Sequence, residues 1–162
     1  IPHPHNRGWG GCPVKYAIDL ADAVVSELTH APEGTFTIPF TATRDLTATF
    51  RREDLKTLAV TVLPSNVESE REARGEVVST VTIDIGLRKE LNKGQEQGVL
   101  EDAAEVATEI DDFLRDRQLT GSPEAVYDDL GTIDVLYDPT LMREAGGIFY
   151  TVVKVTYRVD RG

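Results

Sequence analysis

In "STVTIDIGLRKEL" (79–91), Val81, Ile83, Ile85 and Leu87 alternate with Thr82, Asp84 and Gly86. Successive side chains of extended backbone point to opposite sides, so this period of two demands a strand with one buried face. The closing segment "GIFYTVVKVTYRV" (147–159) repeats it, with Phe149, Thr151, Val153, Val155, Tyr157 and Val159 on one side. Two long half-buried strands need a layer to cover their apolar rows. Asp84 stands in the middle of the opposite face.

Two segments have the period of a covering layer. Ala17, Ala21, Val24, Val25 and Leu28 recur at helical spacing, with Asp19, Asp22 and Glu27 mostly on the other side. Pro13 suits the first turn of this helix, where its missing N–H costs nothing, and "THAPEG" (29–34) ends it. From Val99 onward a longer stripe runs through Leu100, Ala103, Val106, Ala107, Ile110, Phe113 and Leu114, after a break at "GQEQG" (94–98). Glu101, Asp102, Glu105, Glu109, Asp112 and Asp116 cover its remaining surface.

Between the helices the chain reads as strands. "FTIPFTA" (36–42) alternates, and Pro39, which cannot donate a ladder hydrogen bond, marks it as an edge. "LTATF" (46–50) alternates again. "TLAVTVLP" (57–64) is a short apolar run with Val60 and Val62 in the core, closed by Pro64. "SNVESEREARGE" (65–76) is charged without a periodic face, which predicts a projecting loop or hairpin tip, and a long strand follows over 77–87. After the second helix, 119–131 reads as a loop and 132–139 as a short strand. The order helix, four strands, helix, two strands does not alternate regularly, which disfavours a doubly wound parallel sheet. The expectation is an α+β fold: a mostly antiparallel mixed sheet with two helices packed on one face. Residues 1–13 read as an arm rich in Pro and Gly, and 14–162 as a single domain.

The 162 residues suffice for one domain with a real core. The net charge of −11 disfavours a tight grip on phosphate backbones, which need Lys and Arg. Nucleic acid that only passes by is compatible with it. The single cysteine, Cys12, allows no internal disulfide and fits a reducing compartment. No apolar run approaches the ~20 residues that cross a bilayer, and no secretory pattern opens the chain.

Signatures of chemistry are sparse. Neither Gly-rich nucleotide loop occurs, nor a Gly-x-Ser-x-Gly elbow. His3, His5 and Cys12 lack a convincing fourth zinc ligand, and Pro2 has no amide proton to yield to an N-terminal copper site. The acidic helix face lacks the loop pattern of a calcium site. The carboxylates of "VYDDLG" and "LYDP" read as turn and cap residues, and Asp84 as an outer-face residue without a cleft or partner. No catalytic residue, cofactor or metal is expected. Trp9, the one large apolar group of the arm, is a candidate subunit anchor.

"REDLKTLAVTVLPSNVE" (52–68), "TVTIDIGLRKEL" (80–91), an acidic helix ending "EIDDFLRDRQL" (109–119) and the closing "VVKVTYRV" (152–159) together resemble a family of small tailed-phage proteins. The opening "DLADAVVSEL" (19–28) is similar as well, so the resemblance spans roughly 17–160 and leaves the arm out. The family looks like the tail terminator, or tail-completion, class of siphophage neck proteins. That resemblance implies a mixed sheet with helices on one side and a hexameric ring that caps the tail tube. It also implies a head-side connector or stopper as the other partner, DNA only passing through the lumen, no membrane, and a place in the virion after assembly in the host cytoplasm. It supplies no catalytic residue. Glu68, Glu70, Arg71 and Arg74 in the charged segment are then candidate subunit or tube contacts. The alternatives are another neck or baseplate component, or a small hydrolase using Asp84 and loop carboxylates.

Overall fold

The computed structural model describes residues 13–44, 55–71, 75–91, 96–115, 117–135 and 147–160. Helix α1 (Pro13–Thr29) opens the fold and strand β1 (Phe40–Arg44) follows. The long strands β2 (Leu58–Arg71) and β3 (Val77–Glu90) come next, then helix α2 (Glu96–Leu114). Strands β4 (Val126–Val135) and β5 (Ile148–Asp160) close the chain. The sheet order is β1-β2-β3-β5-β4. β1 runs parallel to β2, and the other pairs are antiparallel. This is the expected α+β architecture with a mixed sheet.

Both helices lie on one face. The registers Val60↔Leu87, Val62↔Ile85, Ile85↔Val153 and Ile83↔Val155 put the apolar rows side by side. Those rows are fully buried with Leu20, Ala21 and Val24 of α1 and Ala103, Val106 and Ile110 of α2 in one cluster. α1 covers β1 and β2, and α2 covers β5, β4 and β3. The rows expected from the alternation in 79–91 and 147–159 are the ones that face the helices.

The strand boundaries differ from expectation in three places. β1 starts at Phe40, because Pro39 withholds an N–H and the chain bends through 35–38. Phe36 instead packs 4.8 Å from Phe40 and 5.5 Å from Phe113, ring centre to ring centre. The charged segment 65–71 is not a loop: it continues β2, paired from Asn66↔Thr82 to Arg71↔Val77. A bulge between Pro64 and Asn66 shifts the alternation there, which removes the periodic signal. β4 begins at Val126 rather than 132, because Asp128, Asp129 and Gly131 are poor strand formers and its register shifts between Asp128 and Thr132. α2 begins at Glu96, three residues before Val99. The expected strand over 46–50 lies outside the described residues, as do 136–139.

Candidate assembly surface

The distal half of β2 carries three of the candidate contact residues. Glu68, Glu70 and Arg71 are all exposed. The registers Glu68↔Thr80 and Glu70↔Val78 place both glutamates on the face away from the helices. Arg71↔Val77 places the arginine on the helix side, in the row of Val67↔Val81 and Ser69↔Ser79. The alternation that makes the strand thus separates residues the sequence suggested as one group. Asn66 Nδ2 donates to Glu68 Oε1 at 3.3 Å. Trp9 and Arg74 lie outside the described residues.

No described element covers the sheet face opposite the helices. At its centre is Gly86, flanked by Thr61 on β2 and Val152 on β5. A Cβ on Gly86 would stand 3.1 Å from Thr61 Oγ1, 3.8 Å from Arg88 Nη1 and 3.9 Å from Tyr150 Cε2. The absent side chain is what lets Arg88 lie down across the sheet. Its guanidinium sits 4.7 Å from the Tyr150 ring centre, and Nη1 donates to Thr61 Oγ1 at 3.5 Å. A cation over an aromatic face is attracted by the ring quadrupole. Asp84 occupies the same face two residues on: Ser65 Oγ donates to its Oδ1 at 3.1 Å, and Lys154 Nζ lies 4.0 Å away. Its surroundings are an open pleated surface, with Leu63 and Lys154 as its cross-strand neighbours.

Three further carboxylates tie elements together. Asp111 on α2 accepts from Tyr127 Oη at 2.6 Å and from Arg115 at 2.7 Å. Glu109 accepts from the Thr37 N–H at 2.9 Å and from its hydroxyl at 3.0 Å. Glu27 on α1 accepts from the Thr120 N–H at 2.9 Å and faces Arg117 at 3.5 Å. Burial alone would raise the Glu27 carboxyl, but the Thr120 hydrogen bonds and Arg117 outweigh it and hold it below its ordinary value. Burial, reinforced by Tyr127 and Glu27, pushes the Tyr157 hydroxyl well above the usual tyrosine range. Among the described residues, no three His, Cys, Asp or Glu side chains come together as a metal site. His3, His5 and Cys12 lie outside those residues. No described helix is long and apolar enough to cross a membrane.

Comparison with protein-family models and with curated proteins returns no match. The Arg88–Tyr150 stack and the three carboxylate ties were not anticipated from sequence. One signal did point to the stack. Tyr150 and Val152 are large apolar residues out of phase with the buried row of β5, which marks its outer face as more than a wet wall.

Proposed function

We propose that the chain is a structural virion component of a tailed phage or phage-like particle, a ring-forming tail terminator at the head–tail junction. The observation that carries this reading is the layering: a mixed five-stranded sheet with both helices on one face. This is the architecture that the resemblance of 52–68, 80–91 and 152–159 implies. A ring subunit works by geometry, so it needs surfaces that meet neighbours. The distal half of β2 offers such a surface, with exposed charge at Glu68, Glu70 and Arg71. Six copies close a ring, dock on the last tail-tube ring, stop its growth and present the opposite axial face to the connector. The acidic balance of the chain, −11, suits a lumen through which DNA moves without sticking. The test is charge reversal of the distal segment, Arg71→Glu with Arg74→Glu, in assembling particles imaged by electron microscopy. The reading predicts open or missing rings and tails of uncontrolled length. Normal rings on normal tails would remove this segment from the contact.

A further inference from the structure

The sheet face that no described element covers carries a pattern that is complementary to itself. Three rows cross the central strands. Ala59, Arg88 and Tyr150 form one row; Thr61, Gly86 and Val152 the next; Leu63, Asp84 and Lys154 the third. Consider a two-fold axis lying in the plane between two such faces, at right angles to the strands and over the middle row. It leaves each strand facing its own copy and exchanges the outer rows. Leu63 then faces Ala59 of the second copy, a large side chain against a small one. Asp84 faces Arg88, an acid against a base. Lys154 faces Tyr150, a cation against an aromatic ring. All three exchanged pairs match in chemistry.

The geometry points to this face as a two-fold contact between two copies of the chain, packed sheet against sheet. Aligned sheets pack ~10 Å apart with strands rotated by about 30°, which keeps rows one step from the axis within side-chain reach. The axis lies close to the strand ends at Leu58, Glu90 and Ile148, so the copies overlap over residues 58–64, 82–90 and 148–156, a face of about 27 Å by about 14 Å. That is on the order of 400 Å² per copy, a small contact whose hold depends on the matched charges. The patch has interface anatomy: an Arg stacked on a Tyr at its centre, Leu63 and Val152 beside it, and charge around them. Electrostatics favour the same occupant. The chain as a whole is at −11, so copies repel over most of their surface. On this patch Arg88 and Lys154 are balanced by Asp84 and Glu90.

The contact goes beyond the ring reading, because a ring closes through head-to-tail surfaces and a two-fold pair uses one surface twice. The test is a charge exchange between two preparations of the full chain, Asp84→Arg and Arg88→Asp, followed by sedimentation equilibrium. The wild type forms pairs, or larger assemblies built from pairs. Each variant alone places like charges opposite one another twice, and pairs at least ~10-fold more weakly. An equimolar mixture restores both opposite-charge pairs and recovers the wild-type association. Far-UV circular dichroism checks that each variant is folded. Should Arg88→Asp fail to fold, Leu63→Glu, which sets a carboxylate against Ala59 of the second copy, must weaken pairing instead. Wild-type chains that never pair, variants that pair as well as wild type, or a mixture no tighter than its components would each overturn the contact. Rings without any pairing of the wild type would overturn the two-fold contact and leave the ring reading standing, whereas pairs without rings would do the reverse.

Discussion

Tyr157 is wholly buried, and its hydroxyl has no hydrogen-bond partner among the described residues. An unsatisfied buried hydroxyl costs about 1–3 kcal/mol, so Tyr157→Phe is expected to raise stability at neutral pH by about 1 kcal/mol in urea melts. The folded state holds this proton far more tightly than the unfolded chain, whose tyrosines ionise near pH 10. The fold therefore keeps its neutral-pH stability below about pH 10 and loses part of it as pH rises beyond, where the unfolded chain's tyrosine ionises and the buried one does not. Tyr157→Phe should flatten that alkaline decline, and an unchanged slope would contradict the account. Glu27 works in the opposite direction. Its carboxyl is held below 4.5 in the folded state, so its stabilisation is present above that pH and fades as pH falls through the folded value. Glu27→Gln should therefore cost stability at pH 7, and the difference from wild type should shrink on acidification. A gap that stays constant down to pH 2 would refute it.

The α1–β1 connection shows what an element owes to its surroundings. A tight turn at Pro32–Thr35, closed by the Thr35 N–H on Pro32 O at 3.1 Å, uses Gly34 at φ 86°. That left-handed backbone suits glycine. Glu109 then pins Thr37 by two hydrogen bonds, and Phe36 inserts against Phe113. Glu109→Ala should cost about 0.5–1.5 kcal/mol, since it removes both hydrogen bonds to the exposed Thr37, and should speed amide exchange across 35–38 while sparing β3. Equal protection in the variant would show that the aromatic contacts alone hold the segment. This connection also marks how far the sequence could be read. Val81 to Leu87 and Phe149 to Val159 announced their faces because each row has helices on one side only. Phe36, Ile38 and Phe40 alternated just as well, yet they follow a helix surface, since Pro39 denies the ladder and only the tertiary partner decides. The distal half of β2 was illegible for another reason: a bulge at Ser65 shifts its phase, and Ser69, Glu70 and Arg71 are exposed whichever way they point. Strand β4 was hidden by its aspartates and glycine. The outer-face grid needed registers that no single strand contains.

At the scale of the whole molecule, the sheet is covered on one side and open on the other among the described residues, and the proposed contacts draw on that asymmetry. A chain that works by assembly keeps its core on the helix side and leaves the other face to neighbours. Substitution in the core and on the open face should therefore separate. Ile85→Ala, between the helices and the sheet, should cost about 2–5 kcal/mol and lower yield without a specific assembly defect. The measurement that bears most directly on the central claim is the native mass of the purified chain, alone and with a tail-tube protein. The account predicts a closed assembly of six 17.8 kDa copies, alone or on the end of the tube, with a central opening in electron micrographs. A chain that stays a monomer at every concentration and ignores the tube would contradict it.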